Sequence, residues 1–314
     1  MDLLERVAAT GLLARGEPVV VLLSGGRDSV CLLDLAVELA GPHAVGVLHD
    51  NYGLRAGADG DEAHCAALCD TLGVPMEVQR PSRPHDAPGN LQAWARDVRY
   101  AAGARLAARG GAVLAAAHTA TDQAETILYR LAASPGRRAL LGMEARSGLL
   151  VRPLLGVTRE ETAAWCRARG LAWREDPTND GDLYARGRVR SRLVPALRGV
   201  HPAAERNVVR TAEMLRDEAE VLDIVVDTAL AGRDHIAVAH LAALPPALAR
   251  LVVRRLAERV TGGLCARAAG RVDDILALGD GALDLGAGAR AVVEGGTMRC
   301  ERTPPLPARG GGGS

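Results

Sequence analysis

Residues 24–29, Ser24-Gly25-Gly26-Arg27-Asp28-Ser29, combine the groups that hold a phosphate. Two glycines let the main chain adopt angles other residues avoid, and let an anion come close. An apolar run of strand character, 19–23, leads into the loop, and helical spacing resumes at Val30, Leu32, Leu33, Leu35, Ala36 and Leu39. The loop therefore sits at a helix N-terminus, where free N–H groups and the helix dipole favour negative charge. Ser24 and Ser29 add hydroxyls. Asp28 repels a phosphate unless a cation lies between them. A plain strand-to-helix turn capped by Asp28 or Ser29 is the alternative. No Lys follows the glycines, so the loop is not a Walker A sequence, and it is not GxGxxG either.

Residues 118–126, HTATDQAET, carry the second chemical signal. Asp122 and Glu125 are three apart and share one helical face. Both fall in a first turn, where the dipole favours carboxylates. Taken alone, an ordinary helix start with Thr121 as N-cap is the better explanation of them. On a sheet that also carries the glycine loop, they become candidates for holding a cationic substrate or a metal. In residues 90–100, Arg96 and Arg99 lie on one face, as surface charges or as partners of a triphosphate. In residues 50–55, Gly53 marks a turn and Arg55 can meet phosphate. The turn-forming run 176–180, DPTND, precedes Arg186, Arg188 and Arg190. These arginines suit RNA phosphates or a solvated helix start.

The elements that must position these residues follow from hydrophobic period. Strands are predicted over 19–23, 44–49, 76–80 and 112–117, and helices over 59–72, 91–109 and 121–133. This alternation predicts an α/β fold with a doubly wound parallel sheet. Ligands on such sheets sit at the carboxyl ends of strands, where Ser24, His49 to Asn51 and His118 all fall. Helices are predicted over 160–169, 188–197, 203–230, 247–260 and 266–278, with short strands over 283–301. The expected organisation is a catalytic domain over 1–200, a smaller, mainly helical C-terminal domain over 215–302, and a flexible tail over 303–314.

The 314 residues suffice for two domains. Phe and Lys are absent, so the core is built from Leu, Val and Ala, and all 38 basic residues are Arg. Zero net charge argues against non-specific polyanion binding by the whole molecule. Residues 130–200, however, hold twice as many Arg as acidic residues, which suits a local RNA-facing surface or a solvated face. Six cysteines without a CxxC fit a reducing cytoplasm. No secretory signal or bilayer-spanning run is visible, so a cytoplasmic location without membrane contact is expected.

The loop resembles the SGGxDS loop of the PP-loop ATP-pyrophosphatases. Six blocks in order resemble one family in particular, the bacterial tRNA(Ile)-lysidine synthetases: residues 24–29, 53–55, 90–100, 118–126, 152–155 and 176–190. Three positions depart from that pattern: Tyr52 where a His commonly stands, Thr121 in place of an acid, and Gly187 in place of Asn. The resemblance implies an adenine nucleotide alpha hydrolase-like fold. It also implies ATP as co-substrate with Mg²⁺, and L-lysine and an isoleucine tRNA with a CAU anticodon as substrates. Lysine would join carbon 2 of the wobble cytidine through an adenylated intermediate, releasing pyrophosphate and AMP. Ser24, Gly25, Gly26, Arg27, Asp28, Ser29 and His118 would bind the nucleotide, with Asp28 on Mg²⁺. Arg99 would stabilise charge at the α-phosphate. Asp122 and Glu125 would orient the lysine amine and take its proton. Arg55, Arg186, Arg188 and Arg190 would face RNA. A homodimer is left open. The rival readings are a tRNA 2-thiolation enzyme, a non-catalytic nucleotide- or RNA-binding module, and an amidotransferase-linked synthetase.

Overall fold

The computed structural model describes residues 2–53, 57–84, 90–133, 136–175 and 185–304, without the side chain of Arg186. The chain divides into two units, Met1–Leu215 and Arg216–Ser314.

The first unit opens with α1 (Leu3–Ala8), closed by an Asp2–Glu5 capping box. Strand β1 (Val19–Leu22) is followed by α2 (Arg27–Ala40), β2 (Val45–Asp50), α3 (Ala58–Leu72) and β3 (Met76–Gln79). Helix α4 (Leu91–Arg109), β4 (Val113–Ala115), α5 (Ala120–Ala133) and the short α6 (Arg137–Leu140) come next. A small hairpin, β5 (Arg146–Ser147) and β6 (Leu150–Val151), precedes α7 (Arg159–Ala168). The sheet order is β3-β2-β1-β4-β6-β5. All neighbours are parallel except the terminal β5–β6 pair.

Every residue of β1 is buried, as expected of a central parallel strand covered on both faces. Its alternation divides the core. Val19, Val21 and Leu23 pack with Leu32, Leu35 and Val47 on one face. Val20 and Leu22 pack with Ala102, Ala107 and Leu114 on the other. On the second face Gly103 lets α4 close onto the sheet, since a Cβ there would stand 2.7 Å from Leu114 Cδ1. Across the first face, Trp165 Nε1 of α7 donates to Asp34 of α2 at 2.8 Å.

The helix predicted over 188–197 is in fact three pieces: α8 (Ala185–Arg188), a π turn over Val189–Leu193, and α9 (Val194–Val200). Pro195 accounts for the break, because it has no N–H for the carbonyl one turn earlier. Helix α10 (Ala204–Leu230) spans the division between the units.

The second unit contains β7 (His235–Ala237), α11 (Val238–Ala243), α12 (Pro246–Thr261), α13 (Val272–Leu276), β8 (Gly281–Gly286), β9 (Ala289–Glu294) and β10 (Thr297–Arg302). The antiparallel sheet runs β7-β10-β9-β8. Val252, Val253 and Leu256 of α12 pack with Leu285, Ala291 and Met298 from the sheet. The helix predicted over 266–278 is a 3₁₀ turn over Ala268–Arg271 and then α13. Gly270 within that turn weakens an α-helix. No helix among the described residues is long and apolar enough to cross a membrane.

Candidate active site

The glycine loop occupies the carboxyl end of β1. Gly26 is the N-cap of α2 and provides no side-chain cap, so neither Asp28 nor Ser29 fills that role. The first-turn amides of such a helix have no carbonyl one turn earlier to bond. Gly25 has φ +78°, and a Cβ there would lie 3.2 Å from Cys65 Sγ, so its glycine is required twice over. Ser29 Oγ donates to Gly26 O at 2.8 Å and accepts from Ser24 N at 3.2 Å, which pins the turn from inside. From outside, Arg174 N donates to Gly25 O at 2.9 Å. The Arg174 side chain reaches Asp61 on α3, with Nε 2.9 Å from Oδ1.

The acids stand on the first turns of α5. Thr119, not Thr121, closes the helix start: its N and Oγ1 each donate to Asp122 Oδ2 at 2.9 Å, and Asp122 N donates back to Oγ1 at 3.3 Å. Thr121 is turned inward and donates to Glu205. Glu125 is fully buried and accepts two hydrogen bonds from Arg190, at 2.8 and 3.0 Å.

One guanidinium ties these acids to the loop. Arg159, first residue of α7, places Nη2 2.9 Å from Asp122 Oδ1, Nη1 3.9 Å from Glu125 Oε1 and Nε 3.6 Å from Asp28 Oδ2. Asp28 Oδ1 also accepts from Thr162 Oγ1 at 2.5 Å and from Arg27 Nε at 3.1 Å. Three carboxylates, Asp28, Asp122 and Glu125, thus interleave with three arginines, Arg27, Arg159 and Arg190. Burial alone would push the Asp122 carboxyl up. Arg159, the Thr119 donors and His118 outweigh it and hold that carboxyl below its usual range.

Arg99 stands apart from this network, 3.6 Å from Asp50 Oδ2 and stacked over the Tyr52 ring at 5.9 Å. Burial raises the pKa of Asp50 despite Arg99. Tyr52 donates to Ala95 O at 2.7 Å, so the residue in the usual His position anchors β2 to α4. His118 Nε2 lies 3.4 Å from Tyr100 Oη. Arg188 is exposed, whereas Arg190 points into the acid cluster rather than into a row of outward-facing arginines. Arg55, the side chain of Arg186 and the run 176–180 lie outside the described residues.

The sequence reading brought Asp28, Asp122, Glu125 and Arg190 forward but missed Arg159, Thr162 and Arg174. A signal for the first was present. Thr158 and Glu161 form a capping box, which fixes Arg159 as the first residue of a helix. Among the described residues, no group of three or more His, Cys, Asp or Glu is placed to hold a metal.

Residues 4–197 match the family model for the PP-loop domain. A tRNA(Ile)-lysidine synthase of Salinispora tropica is 37% identical over 300 residues, covering 90% of each chain. The chain belongs to the tRNA(Ile)-lysidine synthase family. Another member, from Thermus thermophilus, is 43% identical over 251 residues, which cover 79% of this chain and 49% of that one. The chain thus spans about half the length of this and other curated relatives it matches. Among solved structures, a U34-tRNA thiolase from Methanococcus maripaludis aligns with a TM-score of 0.56 at 18% identity, over 68% of this chain and 76% of that one. That likeness shows the fold shared by this synthase family and the thiolase.

Proposed function

We propose that this chain joins L-lysine to carbon 2 of the wobble cytidine of an isoleucine tRNA with a CAU anticodon, using ATP. The supporting observation is the bridge by which Arg159 links Asp28 of the phosphate loop to Asp122 and Glu125 of α5. It puts a phosphate cradle and a pair of acids at one end of one sheet. The chemistry needs both. The cytosine O2 attacks the α-phosphorus of ATP, and the bond from that phosphorus to pyrophosphate breaks. The lysine side-chain nitrogen then attacks carbon 2, AMP departs with O2, and the nitrogen loses a proton.

In this reading Ser24 to Ser29 hold the leaving pyrophosphate through backbone amides and hydroxyls. Mg²⁺ fits Asp28, because at phosphates this ion takes one or two carboxylates and leaves its other positions to phosphate and water. When bound there it would offset phosphate charge. His118 would contact the nucleotide. Arg99, paired with Asp50 outside the acid cluster, is the cation assigned to charge developing at the α-phosphate. Asp122, with its lowered pKa, stays ionised and binds the lysine ammonium. Glu125, buried beside it, takes the proton as the amine attacks. Arg159 and Arg190 hold these acids in register until the cationic substrate arrives.

A 2-thiolation reading needs an accessible thiolate. All six cysteines are free and buried; burial pushes Cys65 and Cys300 up to about 12 and Cys69 up to about 11, and Cys166, lowered by a hydrogen bond from Cys31, has no access to solvent. This favours the amine as nucleophile.

The test is incorporation of labelled L-lysine into unmodified isoleucine tRNA, with ATP and Mg²⁺, beside Asp28→Ala. Incorporation that disappears with Asp28→Ala supports the reading. RNA-dependent AMP release without lysine incorporation would move it to another nucleophile.

A further inference from the structure

Two cavities of the first unit meet at one side chain. The larger, of about 490 Å³, is lined by Arg96, Arg130 and Arg152, with Glu144 as its single carboxylate. The smaller, of about 360 Å³, is mainly apolar, lined by Ala132, Ala133, Val189 and Leu193 together with Arg188. Tyr129 lines both and is 42% exposed. None of the three arginines belongs to the acid cluster at the phosphate loop.

The cationic cavity is built rather than incidental. Arg152 forms its buried part at 8% exposure, with Nη1 donating to Glu144 O at 2.6 Å. Its Nε is buried and has no hydrogen-bond partner. A buried guanidinium N–H left unpaired is costly, and an anion in the cavity removes that cost. Arg130 donates to Gly142 O at 2.6 Å. The Gln123 side chain clamps Met143 on both sides, accepting from its N at 2.6 Å and donating to its O at 2.9 Å. Gly142, at φ +65°, has no room for a Cβ, which would come within 2.6 Å of Gln123 Oε1. Consecutive carbonyls of 142–144 are thereby fixed by side chains, and the wall of the cavity is set in advance. Arg96 lies over the Tyr100 ring at 4.7 Å, and Tyr100 in turn meets His118. Burial, together with the nearby charges of Arg96 and Arg130, lowers the pKa of Arg152, so the cations crowd one another until a negative group enters.

We propose that the arginine cavity binds a phosphodiester of single-stranded RNA next to the reacting base, and that a neighbouring base of the same strand stacks on Tyr129 in the apolar cavity. A cationic recess and an apolar recess sharing an aromatic ring match the alternation of phosphate and base along a strand. A free phosphate satisfies the arginines but leaves the second cavity without an occupant. The proposal rests on the reading that this chain acts on RNA.

The probes are a fluorescein-labelled anticodon stem-loop RNA and a non-hydrolysable ATP analogue, titrated against the full chain and its variants. Arg96→Gln and Arg130→Gln change exposed side chains and keep the fold, whereas Arg152→Gln is read only if its melting curve matches wild type. Each arginine variant is expected to weaken RNA binding several-fold and to lower the slope of log affinity against log salt by about 1. Tyr129→Ala is expected to weaken it about tenfold, with Tyr129→Phe restoring it. Affinity for the ATP analogue stays at the wild-type value. RNA binding unchanged in the arginine variants overturns the proposal, as does a loss confined to the ATP analogue, which would assign the cavity to the nucleotide. Tyr129→Phe as weak as Tyr129→Ala overturns the stacking half. Arginine-dependent RNA binding without lysine incorporation leaves this site standing and removes the lysidine reading. Lysine incorporation with RNA binding insensitive to the arginines does the reverse.

Discussion

Arg190 grips Glu125 through two hydrogen bonds, Nε to Oε1 at 2.8 Å and Nη2 to Oε2 at 3.0 Å. Glu125 has no exposed surface, so its charge is tolerable only because this fork is present. Arg190→Met leaves the carboxylate buried, with Arg159 at 3.9 Å as a poor substitute. The expected cost is about 3 kcal/mol of unfolding free energy, read from urea denaturation. Adding Glu125→Leu recovers part of it, because the stranded charge is gone. A double variant as unstable as the two single losses combined would show that the pair is not coupled.

The loop gives a second prediction. Gly25→Ala forces a Cβ into the left-handed region and to within 3.2 Å of Cys65 Sγ. The conformational part alone costs about 1 kcal/mol. The larger effect is on phosphate binding, since relief of the clash turns the Gly25 peptide away from its present direction. Calorimetric titration with an ATP analogue is expected to show at least tenfold weaker binding, while Gly16→Ala, at φ +78° but with open space around it, changes stability only. Equal nucleotide affinity in the two variants would contradict the role given to the loop.

Asp122 predicts an acid limb to the stability profile. Its carboxyl is held below the usual 3.8, so the unfolded chain takes up the proton first as pH falls. The stabilisation is complete above about pH 4 and is lost as pH drops through the lower folded value. Asp122→Asn has no such group to titrate. Its thermal midpoint is expected to lie below wild type at neutral pH and to converge on it in acid. A constant gap between the two across that range would mean the carboxylate is not held ionised by Arg159 and Thr119.

The thiols supply a fourth. Cys65 and Cys69 are raised by burial to about 12 and about 11, so at neutral pH they are thiols rather than thiolates. Cys166 is lowered by a hydrogen bond from Cys31 but is fully buried, so an aromatic disulfide reagent is expected to find no fast-reacting group in the native chain and all six after unfolding. A single fast thiol would revive sulfur chemistry at this site.

Much of the first unit was legible because buried parallel strands announce themselves. The apolar run 19–23 and the helical period from Val30 locate β1 to within a residue and α2 to within three. The face shared by Asp122 and Glu125 followed from their spacing. What escaped reading depends on contacts distant in sequence. Arg159 meets Asp28 from the far end of the unit's sequence, and neither local stretch says so. The strands β5 and β6 have two residues each, too few to show a period. Sequence reading groups Arg190 with its exposed neighbour Arg188, although residues two apart on a helix point to different sides. Gln123, read only as part of a motif, has its purpose in Met143, twenty residues on.

The hydrogen bond from Arg174 N to Gly25 O makes the shape of the phosphate cradle a joint property of two distant stretches of chain. Reciprocity then holds between them. If a phosphate settling on the loop favours the position that Arg174 has when bonded to Gly25 and Asp61, anything that steadies Arg174 tightens the loop's hold on phosphate by the same factor. The stretch that follows Arg174 leads directly into the DPTN block and the arginines beyond it. A ligand engaging that stretch would therefore tune the loop's hold on phosphate without touching the phosphate, and phosphate would tune that ligand's affinity by the same factor.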